Sequence, residues 1–230
     1  MKKFIAIVIS LVTVLVSISG LYVGALPSET DNGIFYSIEN GEVTVEGFNY
    51  VGTVMDVPET IEGYPVRYVA DQACRGNEGI FELRLPKTIV SIGEYAFGEC
   101  ENLTKVVIKG ADTIGYSAFR DCKALMTVTL SEGVRTIDDS AFEGCTNLGK
   151  IKIPSTVTKI GVDAFMGCER VRFDADSNKY ALEYAKSNNI PTGLDPWTVR
   201  VIVIGVTSAL LFGAVLLVDK AVKRAKKTKT

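Results

Sequence analysis

Apolar residues recur at fixed offsets through the middle of this chain, and the pattern runs four times. Ile92-Gly93-x-x-Ala96-Phe97-x-x-Cys100-x-x-Leu103 returns as Ile114-Gly115-x-x-Ala118-Phe119-x-x-Cys122-x-x-Leu125. It returns again as Ile137-Asp138-x-x-Ala141-Phe142-x-x-Cys145-x-x-Leu148 and as Ile160-Gly161-x-x-Ala164-Phe165-x-x-Cys168-x-x-Val171. The alanines step by 22, 23 and 23 residues. A period in the low twenties marks a solenoid of stacked coils. One unit cannot bury its own apolar side, so the Ile, Ala, Phe, Cys and Leu positions must stack as ladders on those of the next coil.

Each stretch that ends in Leu leads into a short alternating run: Lys105-Val106-Val107-Ile108, Thr127-Val128-Thr129-Leu130 and Lys150-Ile151-Lys152-Ile153. Alternation with β-branched residues predicts strands, paired in parallel from coil to coil at about 4.8 Å. The Gly-x-x-Ala-Phe segment is expected to form about one helical turn. Pro86 and Pro154 fall just after a strand, where a missing N–H does least harm.

A degenerate fifth unit lies upstream. Val69-Ala70-x-x-Ala73-Cys74-x-x-Asn77-x-x-Ile80 keeps the register, which puts Cys74 on the Phe column. Val57-Pro58 corresponds to Leu85-Pro86 but carries five extra residues around Gly63-Tyr64-Pro65. Terminal units are expected to be atypical because they cap an exposed core. Before them, Phe35-Tyr36-Ser37-Ile38 and Glu42-Val43-Thr44-Val45 flank Asn40-Gly41, a hairpin signal. At the other end, Tyr180, Ala181, Tyr184 and Ala185 at helical spacing predict a capping helix over 177–188 with Ser177 as N-cap.

These motifs resemble the BspA-type leucine-rich-repeat family of bacterial cell-surface proteins, over roughly residues 33–192. The resemblance implies a curved parallel-strand solenoid used for adhesion or other surface binding, with no ligand common to its members. The fold class expected is therefore α/β: a leucine-rich-repeat solenoid with parallel strands and short helical turns, plus terminal apolar helices.

The ends of the chain change the picture. Met1-Lys2-Lys3 precedes an uncharged apolar run over residues 4–25. It reads as a secretory signal peptide, with small residues at Val23-Gly24-Ala25 or Ser17-Ile18-Ser19 for cleavage. An uncleaved N-terminal anchor is the competing reading. Residues 198–218 carry one charge, Arg200, and suit a single bilayer crossing, with Trp197 at its edge. The tail that follows holds six basic residues against Asp219, which orients it to the cytoplasm and the repeats outside. Ile190-Pro191-Thr192-Gly193 looks like the sorting signals that sortases cut between Thr and Gly, although the usual residue between Pro and Thr is absent. Membrane anchoring and wall attachment through Thr192 thus both stand. The expected divisions are a signal peptide (1–25), an N-terminal hairpin and cap (26–68), the repeats (69–176), a capping helix (177–192), a linker (193–197), a transmembrane helix (198–218) and a basic cytoplasmic tail (219–230).

Charge and chemistry narrow the function. The chain carries 25 basic and 27 acidic residues. Setting aside Lys2, Lys3 and the tail leaves 17 basic against 26 acidic, so the repeat-bearing part is about −9. Nucleic-acid binding, which shows a basic footprint, is disfavoured. There is no histidine, hence none of the usual catalytic triads and few zinc sites. No cofactor or enzymatic activity is expected. Cys100, Cys122, Cys145 and Cys168 share one column and are expected to be buried thiols rather than disulfides or metal ligands. The candidate binding face is the set of outward strand positions: Glu82, Lys105, Thr127 and Lys150 in one column, Arg84, Val107, Thr129 and Lys152 in the next. Four are basic and one is acidic, which reads either as ordinary solvated positions or as a stripe for an anionic ligand. The function expected is a non-enzymatic, adhesin-like module binding a protein or glycan. The alternative is a structural or assembly protein that recognises another component of its own envelope.

Overall fold

The structure, a computed structural model, describes residues 27–49, 53–175 and 178–193. The expected signal peptide, linker residues 194–197, membrane span and basic tail lie outside the described residues. The chain enters through β1 (Ser28–Glu29), β2 (Ile34–Glu39) and β3 (Glu42–Phe48), which pair antiparallel around Asn40 and Gly41. Both turn residues have positive φ, 52° and 78°, which is why Asn-Gly occupies this place. After β4 (Val54–Asp56), the extra residues form a small hairpin, β5 (Thr60–Ile61) and β6 (Tyr64–Val69), turning on Glu62 and Gly63.

From there each coil contributes two strands. They are β7 (Glu82–Leu85) and β8 (Ser91–Ile92), β9 (Lys105–Ile108) and β10 (Thr113–Ile114), β11 (Thr127–Leu130) and β12 (Thr136–Ile137), and β13 (Lys150–Lys152) and β14 (Lys159–Ile160). β15 (Arg172–Asp174) and the helix α1 (Lys179–Ser187) close the described chain. The longer strands stack in parallel as β4, β7, β9 and β11, followed by the pair β13–β15. The short ones continue the sheet of the entry hairpin in the order β3, β6, β8, β10, β12, β14. This second sheet was not expected: two residues per coil are too few to show an alternation, although Ser or Thr before Ile recurs in three coils.

The third side of each coil differs from the expected helical turn. Tyr95 and Glu99, Ser117 and Asp121, and Ser140 and Gly144 all sit at positive φ. Left-handed residues every fourth position flip the peptide planes, so that N–H groups point along the solenoid axis. Tyr95, Phe97 and Glu99 donate to the carbonyls of Tyr116, Ala118 and Arg120 at 3.0, 2.8 and 2.7 Å. The next coils repeat this set, from Ser117, Phe119 and Asp121 and then from Ser140, Phe142 and Gly144. An α-helix would have turned these donors back into their own coil. Close stacking also fixes glycines. A Cβ on Gly93 or Gly161 would lie 2.5 or 2.3 Å from the carboxylate of Asp71 or Asp139. Those carboxylates accept the N–H of Glu94 and Val162.

The core is built of the predicted columns. Phe97, Phe119 and Phe142 are fully buried, and the rings from Phe97 to Phe165 stack with centroids 5.4, 5.3 and 5.2 Å apart. Full burial of such a side chain stabilises by roughly 1.5–3 kcal/mol. Phe173 and Tyr184 close the stack at the last coil. At the first coil, where Cys74 takes the Phe place, Phe48 of the hairpin packs on Phe97 at 6.2 Å.

All five cysteines are free and buried. Each thiol of the Cys column donates to the carbonyl of the Phe-column residue one coil back: Cys100 to Cys74, Cys122 to Phe97, Cys145 to Phe119 and Cys168 to Phe142, at 3.0–3.1 Å. The thiols are thus donors as well as small hydrophobes. The N-cap of α1 is Asn178, not Ser177. Its Oδ1 accepts the N–H of Ala181 and its amide donates to Pro154 and Val157 carbonyls. Serine lacks the amide that ties the helix to the last coil.

Candidate binding face

Alternation in the longer strands turns Leu83, Leu85, Val106, Ile108, Val128, Leu130 and Ile151 inward. It leaves the candidate residues on the opposite face. The register aligns Val54, Glu82, Lys105 and Thr127 in one column and Asp56, Arg84, Val107 and Thr129 in the next. Further along, Lys150 stands beside Arg172 and Lys152 beside Asp174. The sequence reading missed Asp56, Arg172 and Asp174, which belong to the flanking strands. Their signal was present, because one period beyond Lys150 falls on Arg172.

The face is not one basic stripe. In its first half, Glu82 accepts from Arg84 Nε at 2.9 Å and pairs with Lys105 Nζ at 3.0 Å. Arg84 also reaches Asp56 at 3.6 Å. Lys105 and then Arg84 hold the Glu82 carboxyl below its ordinary range, and Glu82 in turn raises the Arg84 guanidinium. The middle is uncharged: Val107, Thr127, Thr129 and the exposed Met126 beside them. In the last half Lys150 pairs with Asp174 at 2.9 Å. Lys152 and Arg172 have no ion-pair partner among the described residues, so this half keeps a surplus of two positive charges.

Among the described residues no group of three or more His, Cys, Asp or Glu side chains is placed to hold a metal ion. Nor do these columns bring a nucleophile and a base together. What the arrangement offers is a set of side chains held at fixed spacing on a hydrogen-bonded parallel sheet. A scaffold of that kind suits recognition of another molecule across several coils.

The class defined by these observations is a parallel-strand repeat solenoid. The chain belongs to the BspA type leucine rich repeat region family, whose profile matches six copies over residues 61–185. Proteins of this repeat family are in general non-enzymatic binding modules. A T. pallidum leucine-rich-repeat protein is similar in structure, with a TM-score of 0.60 and 25% identity over 64% of this chain and 72% of that one. A leucine-rich-repeat protein from Bacteroides ovatus has a TM-score of 0.56 and 31% identity, covering 63% of this chain and 40% of that one. One from Eubacterium ventriosum, 21% identical with a TM-score of 0.50 over 66% and 48% of the two chains, shares the fold. No curated protein matches the chain.

Proposed function

We propose that this chain is a non-enzymatic, adhesin-like binding module that presents its solenoid outside the cell. Residues 198–218 would serve as its membrane anchor and residues 219–230 as its cytoplasmic tail. The ligand is a protein or glycan carrying anionic groups, met by the outward strand positions. The observation that carries this reading is that Lys152 and Arg172, on a sheet face of a domain that is acidic overall, have no ion-pair partner among the described residues. Opposite charge in a surrounding field attracts and orients a ligand, and such attraction is screened over about 8 Å at physiological ionic strength.

Two experiments test it. Surface plasmon resonance over an immobilised sulfated glycan and an immobilised acidic polypeptide should show binding that weakens as salt rises. Changing Lys150, Lys152 and Arg172 together to Glu should abolish it, whereas changing Arg84 and Lys105 to Glu should weaken it less. Binding that ignores both salt and the triple change would reject the face. For the anchor, a chain that still carries Lys229 should be released by detergent alone; release only by wall digestion, with loss of everything after Thr192, would place it on the wall instead.

A further inference from the structure

The axial hydrogen-bond ladder stops at the last coil with two of its three donors left over among the described residues. In every preceding coil, three N–H groups at alternate positions find carbonyls in the coil that follows. The equivalent donors in the last coil are those of Asp163, Phe165 and Gly167. Phe165 N–H donates to the Tyr184 hydroxyl at 3.3 Å. The N–H groups of Asp163 and Gly167 have no acceptor among the described residues. Beside them opens a cavity of about 370 Å³, lined by Asp163, Phe165, Met166, Gly167, Tyr184 and Ile190 among others.

The side chains at this edge change in kind. The position that holds Glu94, Tyr116 and Asp139 in earlier coils holds Val162, which is 70% exposed. The position that holds Gly98, Arg120 and Glu143 holds Met166, which is 50% exposed. Two exposed apolar side chains thus stand where the ladder is open, in columns that hold charged residues, a tyrosine or a glycine in the three coils before. Exposed apolar groups clustered at a backbone edge mark a surface made to be covered.

The chemistry of the edge limits what covers it. It offers donors only, so a second copy apposed through the same edge brings donors against donors. Head-to-tail stacking fails as well, because the opposite end carries the entry hairpin, with Phe48 on Phe97 and Gly47 against the Ala73 carbonyl. We propose that the open edge of the last coil is a docking site for an extended segment of a partner protein. Carbonyls four residues apart in that segment accept from Asp163 and Gly167, and its side chains cover Val162 and Met166. The carboxylates of Asp163 and Glu169 line the same cavity, so the segment carries a basic or hydroxyl side chain there. This is main-chain augmentation, as at an open sheet edge, and it is independent of the strand-face reading.

The test uses amide hydrogen exchange on the full chain. The probe is a capped synthetic peptide copying residues 114–121, whose Tyr116, Ala118 and Arg120 carbonyls fill this role inside the solenoid. In the free protein the amides of Asp163 and Gly167 should exchange fast, and those of Ser140 and Gly144, one coil earlier, slowly. Saturation with the peptide should slow Asp163 and Gly167 about tenfold. The double variant Val162→Asp, Met166→Glu should lose that response, with slow exchange at Phe119 and Phe142 showing that it is folded. Three results would overturn the proposal: Asp163 and Gly167 already as slow as Ser140 and Gly144 without peptide, no change with peptide, or an undiminished response in the double variant.

Discussion

The inside of the solenoid and its outward strand columns obey different rules. Across four coils the inward columns hold the same residue types, Ile, Ala, Phe and Cys, with Leu giving way to Val only at Val171. Across the same coils one outward column runs Glu82, Lys105, Thr127, Lys150 and the other Arg84, Val107, Thr129, Lys152. An inward residue must match its copies one coil away, because ring stacks on ring and thiol reaches carbonyl. An outward residue meets solvent and a neighbour with which it can pair or not. The period therefore dictates the core and leaves the outward face free to vary.

The contrast can be broken most severely at a Phe. Phe119→Ala removes a ring stacked on both sides and should destabilise by about 3–5 kcal/mol in a denaturant titration. A variant that melts with the parent would mean the Phe column is not the core. The Cys column should follow. Cys122→Ala or Cys122→Ser should cost about 1–3 kcal/mol, because the first strips the donor from the Phe97 carbonyl and the second buries a more polar group. Native protein should resist thiol alkylation at all five cysteines and label fully once denatured. A mass deficit from disulfides would contradict the thiol ladder.

On the outward face the effects should be smaller and depend on conditions. Glu82 is held below its ordinary value of 4.5, first by Lys105 and then by Arg84. A depressed carboxyl adds stability above its unfolded pKa and loses it as pH falls through the folded one. The parent should therefore lose melting temperature more steeply than Glu82→Gln as the pH falls below about 4.5. Equal slopes would mean the Glu82 pairs do not persist in solution. Smallest of all, single changes of Lys152 or Arg172 to Glu should alter stability by no more than about 0.5 kcal/mol.

The sequence made the core and the longer strands legible because apolar identity and period repeat together. The entry hairpin was legible from Asn40-Gly41, and the register of Cys74 from its spacing. The short strands were not, since Ser91-Ile92 or Thr113-Ile114 is too brief for alternation to register. Nor were the left-handed residues: Tyr95 and Glu99 carry no mark of positive φ, which the axial ladder imposes on them. The columns of the candidate face followed from alternation, but their electrostatics did not. Asp56 and Asp174 lie one strand beyond the columns read from the repeats, and both turn apparent free cations into paired ones.

The claim that recognition lies on the outward strand face is tested most directly by measuring the binding of the parent and the Lys150→Glu, Lys152→Glu, Arg172→Glu triple variant to the same two anionic surfaces, at low and high salt. The account predicts that the parent binds at least one surface, binds it more weakly at high salt, and loses binding on triple substitution while keeping its melting temperature. Equal binding by parent and variant, or a parent that binds neither surface at low salt, would contradict it.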